Sequence, residues 1–420
     1  MTKEHLAQIL DINFNITKHI KFVPHSIWIN LSDSQTKNSI KKQHSIVAVK
    51  NNRTSHPVIH PISEFILSRW KHMSYNTMRT HSQNISTFLN YLLINQRQLR
   101  IYTLQTLTFE HGSDFLNYLT INQKSRQTVL SYKSTLTHFY VYLAKKGIGS
   151  NNLDKFELHN NSHTSQRYKY SSPFEGVILP SKSKSYVEHH LPEIYILKLL
   201  EFSTTTSPII ALGVYMQLFG GLRMGEVVNL KRSDIKTIGP YGVEGLLLKI
   251  EKNNLRTDIR DSSGSSYVKK SRDQLVLGFR DWLKELYKAH YNNYLRNSDS
   301  EAVFINKHGK AMTGASYRYY FRKIKSSFIN YLKESSNPHD KIASISLANS
   351  NWSTHIGRGT FTNMIAESAQ NPQDIALLRG DDDISSSLDY MSNTKRMKQN
   401  LEFHLELLLN KNETESEDKR

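Results

Sequence analysis

Two arginines and a tyrosine, each close to further polar residues, offer the clearest chemistry in this sequence. Arg223 stands three residues before Glu226, and in a helix this spacing lets the carboxylate hold the guanidinium on one face. A held arginine presents a fixed fork of donors that matches two oxygens of one phosphate. An isolated pair with this spacing is more often an ordinary surface ion pair.

A second pair and a tyrosine follow much later in the chain. His355 stands three residues before Arg358, and Tyr390 comes 32 residues after that arginine. A histidine can exchange a proton near neutral pH beside a bound phosphate. A phenol, with an ordinary pKa of about 10, attacks only when cations stabilise the phenolate and a base takes its proton. Taken alone, a histidine of this kind is more often a capping residue, and one tyrosine among 22 is normally structural.

In this order the segments resemble the tyrosine recombinase (phage integrase) family. The matching motifs are G-L-R-x-x-E at 221–226, H-x-x-R at 355–358 and R-G-D-x-x-I-S-S-S-x-x-Y at 379–390. The resemblance covers residues 61–410 and leaves the first 60 residues outside it. It implies an enzyme that cuts and rejoins DNA through a 3′-phosphotyrosyl intermediate and releases a 5′-hydroxyl, with neither a metal nor ATP.

The resemblance also implies a role for each matching residue. Arg223 and Arg358 would clamp the scissile phosphate, and Glu226 would support the first arginine. His355 would accept a proton or donate to the phosphate. Tyr390 would be the nucleophile.

Two positions of the family pattern leave alternatives open. The lysine that protonates the leaving 5′-oxygen lies on a hairpin between two strands, where Lys269 is favoured and Lys252 is the rival. Nine residues before the tyrosine the family has His or Trp, whereas this chain has Asp381. An ionised carboxylate cannot donate and would repel a phosphate. Three possibilities follow: Asp381 points away, it is protonated, or a neighbour such as Arg379 replaces the donor that the family has at this position.

The elements that must position these residues are predicted to be mainly α-helices with a small antiparallel sheet. Between residues 61 and 150, apolar residues recur at spacings of three and four, which predicts three or four amphipathic helices. This segment has ten Lys and Arg residues against three acidic ones, a net charge of +7. We interpret it as a helical core DNA-binding domain that contacts backbone phosphates from one side of a clamp.

The second half of the chain predicts a mixed α/β catalytic domain of the tyrosine recombinase type. Helical patterns flank strand-like runs at 245–251 and 274–277, which predict a long β-hairpin. Residues 394–410 form an amphipathic pattern that packs either on its own domain or on a neighbouring protomer. The predicted segments are an N-terminal region of unknown fold (1–60), the helical domain (61–150), a linker (151–190), the catalytic domain (191–410) and a charged tail (411–420).

Composition limits the classes of function. A formal net charge of +18 favours polyanionic partners, with nucleic acid first. The absence of cysteine excludes disulfide scaffolds, thiolate zinc sites and cysteine nucleophiles. No apolar run is long enough for a membrane span, and the start lacks a signal-peptide pattern, so we expect a cytoplasmic, nucleoid-associated protein.

Three hypotheses about function follow. The main one is a site-specific recombinase that acts on double-stranded DNA as a homo-tetramer, with DNA-bending accessory proteins, and integrates or excises a mobile element. It needs no cofactor and no metal. The first alternative is a DNA-binding accessory protein of the same family, catalytically impaired through Asp381. The second is a topoisomerase-like enzyme without a defined site. The DNA target depends on groove contacts that motif spacing does not encode.

Overall fold

The computed structural model describes residues 20–32, 39–51, 56–149, 156, 158–159, 169–181, 191–350, 352–369 and 371–381. The chain divides into two compact units, residues 1–185 and 186–420. Each unit has its own apolar core. None of the described helices is long and apolar enough to cross a membrane.

A long β-hairpin opens the described part of the first unit. Strand β1 (Ile20–Ser32) pairs antiparallel with β2 (Ser39–Asn51), and the short β3 (Val58–Ile59) pairs with the other side of β2. The side chain of Asn90 accepts from the backbone N–H of Phe22 and donates to its carbonyl, both at 2.8 Å. The hairpin therefore shares a core with the helices that follow it.

Between residues 56 and 149 the first unit contains four α-helices, in agreement with the apolar spacing. They are α1 (Ser63–Trp70), α2 (Tyr75–Leu99), α3 (Phe109–Ile121) and α4 (Arg126–Lys146). Ser74 and Ser125 cap α2 and α4 by accepting from backbone N–H groups of the first turn. A pair of two-residue strands, β4 (Leu158–His159) and β5 (Lys169–Tyr170), follows.

The second unit is mainly helical and contains a three-stranded antiparallel sheet. Its described helices are α5 (Ile196–Thr206), α6 (Pro208–Gly220), α7 (Met224–Val228), α8 (Trp282–His290), α9 (Gly314–Glu334), α10 (Pro338–Asn349), α11 (His355–Ser368) and α12 (Pro372–Arg379). The strands β6 (Ile235–Ile238), β7 (Gly245–Ile250) and β8 (Arg272–Leu277) lie in that order. Strands β7 and β8 form the predicted hairpin, with Gly245 opposite Leu277.

Helix α6 lies inside the second unit and organises the segments that carry the candidate site. Every residue from Ile210 to Gly220 is buried, as expected for a helix that is apolar on all sides. The helix contacts both α11 and β8. It ends at Gly221, whose φ is 63° and whose Cβ, if it had one, would lie 2.5 Å from the ring of Phe361 on α11. The loop that carries Arg223 therefore begins directly against α11.

Candidate active site

Arg223 lies at the N-terminus of the short helix α7. Its backbone N–H donates to Glu226 Oε2 at 2.8 Å, and its Nη1 donates to Glu226 Oε1 at 3.1 Å. The ion pair expected from the R-x-x-E spacing is formed. In addition, Glu226 reaches back to the N-cap residue as in a capping box, so the same carboxylate fixes both the backbone and the guanidinium of Arg223.

A third residue, Arg272, completes this ion pair from the far side. Arg272 begins β8, and its Nη1 and Nη2 donate to Glu226 Oε1 at 2.5 Å and Oε2 at 2.9 Å. The Glu226 side chain has no exposure to solvent and that of Arg272 only 5%. Burial raises the pKa of Glu226, but the hydrogen bonds and charges of Arg272, and then of Arg223, outweigh it and hold the pKa below its ordinary value. Glu226 is therefore an anion between two arginines.

Arg358 lies one turn into α11 and is almost completely buried. Its Nη1 donates to the carbonyl of Gly221 at 2.7 Å, and its Nη2 donates to the carbonyl of Arg379 at 3.3 Å. Burial, followed by the charge of Arg223, lowers the pKa of Arg358 to about 10, so it is still a cation at neutral pH. Backbone carbonyls thus hold the second arginine, whereas a carboxylate holds the first.

The carboxylate of Asp381 joins the two arginines. Its Oδ1 lies 2.8 Å from Arg358 Nη2 and 3.4 Å from Arg223 Nη2, and its Oδ2 lies 3.2 Å from Arg379 Nε. In this structure the Asp381 carboxylate points towards the arginines. In each of Arg223 and Arg358, Nη1 contacts the residue that holds the side chain and Nη2 contacts the shared carboxylate. Two arginines that are far apart in the sequence therefore donate to the same oxygen atom.

The segment that ends in Asp381 is tied to β8. Gln274 accepts from Arg272 Nε at 2.9 Å and donates to the carbonyl of Leu378 at 2.8 Å. A Cβ at Gly380, whose φ is 63°, would lie 2.1 Å from Cδ of Arg272. Arg272 therefore supports Glu226 on one side and the end of α12 on the other. Sequence reasoning missed it because its partner Glu226 is 46 residues away.

His355 and both candidate lysines are exposed. His355 is the first residue of α11, one turn before Arg358. Lys252 follows β7, and its backbone N–H donates to Ser271 Oγ at 3.2 Å. Lys269 lies on the returning arm, shortly before β8. Both lysines remain candidates for the general acid.

The connection between β7 and β8 is anchored to α7, the helix of Arg223. Asn229 donates to the carbonyl of Ser266, and the hydroxyl of Ser266 accepts from the Gly314 N–H at 3.0 Å. A Cβ at Gly225 would lie 2.4 Å from the carbonyl oxygen of Tyr267. The arm that carries Lys269 thus passes close to α7 because residue 225 has no side chain.

Several predicted features lie outside the described residues. They are Tyr390, the amphipathic segment 394–410, the charged tail 411–420 and parts of the linker 151–190. Within the described part of the chain, no group of three or more His, Cys, Asp or Glu residues is placed to hold a metal ion. The described site is therefore a cluster of arginines with two carboxylates, an arrangement suited to binding an anion with two acceptor oxygens.

Comparison with known proteins gives the class of this fold. Residues 62–147 match the family model of the phage integrase N-terminal SAM-like domain. The XerH site-specific recombinase bound to a palindromic difH substrate is 16% identical, with a TM-score of 0.53 over 79% of this chain and 80% of that chain. The Tn1549 transposon integrase in complex with circular intermediate DNA is 14% identical, with a TM-score of 0.52 over 81% and 98%. Among curated proteins no sequence matches.

The chain therefore has the fold of the tyrosine recombinases, mainly helical with small antiparallel sheets, which confirms the predicted fold class. The match of residues 62–147 to a phage integrase domain agrees with this fold.

Proposed function

We propose that this protein is a site-specific DNA recombinase that cuts and rejoins strands through a covalent bond between Tyr390 and a 3′-phosphate. One observation carries the proposal: Arg223 and Arg358 are held rigidly and direct one nitrogen each to the same anionic oxygen. Two such cations stabilise the extra negative charge that develops on the non-bridging oxygens when phosphorus becomes five-coordinate.

The proposed reaction is a pair of balanced displacements. The phenol oxygen of Tyr390 forms a bond to phosphorus while the bond from phosphorus to the 5′-oxygen breaks. His355 takes the phenol proton, and Lys269 or Lys252 gives a proton to the leaving oxygen. The 5′-hydroxyl of another strand then attacks the phosphotyrosyl ester and gives its proton to the lysine, while the bond from phosphorus to Tyr390 breaks and the phenolate regains its proton from His355. The ester keeps the energy of the original bond, so rejoining requires no ATP.

The proposed partners and location follow from this chemistry. The substrate is double-stranded DNA, and exchange between two sites requires four active sites, which a homo-tetramer with DNA-bending accessory proteins supplies. We propose the integration or excision of a mobile element as the task, since the Tn1549 protein of similar fold is a transposon integrase. A nucleoid-associated cytoplasmic protein fits this activity.

Tyr390→Phe tests the proposal directly. The substrate is a set of nicked duplexes made from the DNA that flanks the coding sequence, because mobile elements carry their recombination sites at their ends. The wild-type chain should form a covalent protein–DNA adduct that survives denaturation. The phenylalanine variant should lose the adduct and still bind the same duplexes.

Tyr319→Phe is the matched control, because Tyr319 is an exposed residue of α9. This variant loses a phenol of the second unit and should form adducts at the wild-type rate. Adducts formed by the Tyr390→Phe variant would refute the role of Tyr390. No adduct from the wild-type chain on any duplex would refute the proposed activity.

A further inference from the structure

We propose that the Asp381 carboxylate is a resident counter-ion of the arginine pocket and that a DNA phosphodiester must displace it before cleavage. Residue 381 would thus keep the site closed until DNA competes for the same donors. The inference rests on the proposed function only for the identity of the competing ligand.

The position of the carboxylate is the first support. Asp381 Oδ1 accepts from Nη2 of Arg358 and of Arg223, at 2.8 and 3.4 Å. In Arg223 this nitrogen is the one that does not contact Glu226, and in Arg358 it also donates to the carbonyl of Arg379 at 3.3 Å. A phosphate oxygen bound by both arginines would need the same place. Asp381 and the scissile phosphate therefore compete for one site.

The charge of the pocket is the second support. Arg223, Arg358 and Arg379 approach one another around Asp381, and the side chains of Arg358 and Arg379 are only 6% and 8% exposed. Guanidinium groups brought together with little water repel one another unless an anion lies between them. A carboxylate and a phosphodiester each carry one negative charge on two acceptor oxygens. One can replace the other without changing the charge of the pocket.

The local backbone allows the exchange. The N–H of Asp381 donates to the carbonyl of Ala376 at 2.9 Å, and that of Gly380 donates to the carbonyl of Leu377 at 3.0 Å. These two bonds form the motif that commonly ends an α-helix at a left-handed glycine. Rotation about the Cα–Cβ bond of Asp381 removes the carboxylate without breaking either bond. Arg358 keeps its two carbonyl acceptors, so its guanidinium stays in place.

The test measures the affinity of the full-length chain for inorganic phosphate by calorimetry. Asp381→Asn keeps the size of the side chain and removes its charge. Asp273→Asn is the matched control, because Asp273 is an exposed residue of β8 and this substitution removes the same charge from the same unit. We expect Asp381→Asn to bind phosphate at least about tenfold more tightly than wild type, the gain expected when one charge-assisted competitor is removed. Asp273→Asn should bind as wild type does.

A second substitution locates the bound phosphate. Adding Arg358→Gln to the Asp381→Asn variant should remove the gain in affinity. Equal phosphate affinity of the wild type and the Asp381→Asn variant would overturn the proposal, and so would a gain that persists without Arg358.

If Asp381→Asn does not fold in phosphate-free buffer, its thermal unfolding decides instead. Phosphate should restore the folded state, while chloride at the same ionic strength should not. Failure of phosphate to restore folding would count against a resident counter-ion.

The adduct assay separates this inference from the proposed function. If Asp381→Asn gains phosphate affinity but the wild type forms no protein–DNA adduct, the role of Asp381 as a counter-ion is supported and the recombinase activity is refuted. Adducts from the wild type, together with no gain in phosphate affinity for Asp381→Asn, would support the recombinase activity and refute the role of Asp381 as a counter-ion.

Discussion

Arg272→Met removes the residue that most directly holds the buried carboxylate of Glu226. The substitution deletes two hydrogen bonds of 2.5 and 2.9 Å and leaves a carboxylate without solvent contact beside Arg223 alone. Removing one partner of a buried ion pair costs about 3–5 kcal/mol of the free energy of unfolding. Glu226→Gln in the same chain removes the stranded charge, so the double variant should be more stable than Arg272→Met. We expect a coupling energy of about 2–3 kcal/mol from the double-mutant cycle.

Urea unfolding of the full chain, monitored by circular dichroism, measures these differences in free energy from the transition of the second unit. Lys249→Met on the neighbouring strand β7 is the control, since its ion pair with Glu251 is exposed and its loss should leave the midpoint unchanged. A loss of about 1 kcal/mol or less for Arg272→Met, the size expected of an exposed pair, would refute the reasoning.

The direction in which stability changes with pH is an independent test of the same assignment. In the wild type the pKa of Glu226 is depressed in the folded state, so its contribution is present above the ordinary carboxyl pKa and is lost as the pH falls. Without Arg272, burial dominates and raises the folded-state pKa of Glu226 above the unfolded value. Relative to the wild type, the stability of Arg272→Met should then increase as the pH falls and the buried carboxyl takes up a proton. A wild-type slope in this variant would also contradict the assignment.

Two further predictions concern the leaving group and the first unit. Lys269→Ala should slow cleavage by about 10²–10⁴-fold, as expected for a lost general acid. A substrate with sulfur in place of the bridging 5′-oxygen should restore the rate, because sulfur leaves without a proton. If this substrate rescues Lys252→Ala and not Lys269→Ala, the general acid is Lys252. In the first unit, burial and then the charge of Arg69 lower the pKa of His138 to about 3. Since only the unfolded chain binds this proton, the contribution of His138 to stability should fall by about 1.4 kcal/mol per pH unit as the pH drops below about 6.5, beside similar contributions from His60 and His81. His138→Asn should remove one proton's worth of this slope in urea unfolding, and an unchanged slope would show that His138 is not buried as a neutral ring.

Local patterns in the sequence predict the local parts of this structure. The apolar spacing between residues 61 and 150 marks the four helices of the first unit, and the runs at 245–251 and 274–277 mark strands β7 and β8. The spacing of Arg223 and Glu226 likewise predicts their ion pair, since one helical turn separates them. Features of this kind depend on neighbours in the chain, so spacing reveals them.

Features that depend on distant partners are not visible in the same way. Arg272 looks like any polar residue at the start of a strand, and its function follows only from the approach of β8 to α7. The hairpin of β1 and β2 shows a related problem. Proline within a run is a local signal against a strand unless that strand lies at a sheet edge, and Pro24 lies opposite Val47 in β1, which forms the edge of its described sheet. The pairing with β2 and the packing of Phe22 into the core outweigh that local signal.

Asp381 shows why a pairwise argument from sequence leaves the orientation of a charged side chain open. A carboxylate beside a bound phosphate is repelled, and on that ground pointing away was one of three possibilities for Asp381, beside protonation and replacement of the missing donor by Arg379. Before a phosphate binds, the same carboxylate is attracted by Arg223 and Arg358, and the structure shows it in contact with both. The sign of the interaction depends on which anion is already in the pocket.

The two carboxylates of the pocket then have different parts in the proposed reaction. Glu226 has no exposure and is fixed by Arg272, whereas Asp381 is 15% exposed and contacts Nη2 of both Arg223 and Arg358. Exchange of Asp381 for a phosphodiester leaves the pocket charge unchanged, so ground-state binding gains little from the arginines. The five-coordinate phosphorus carries a second negative charge, which the same arginines stabilise without any further rearrangement. Interactions that strengthen only in the transition state increase the rate, and a resident counter-ion is one way to confine the attraction of this pocket to that state.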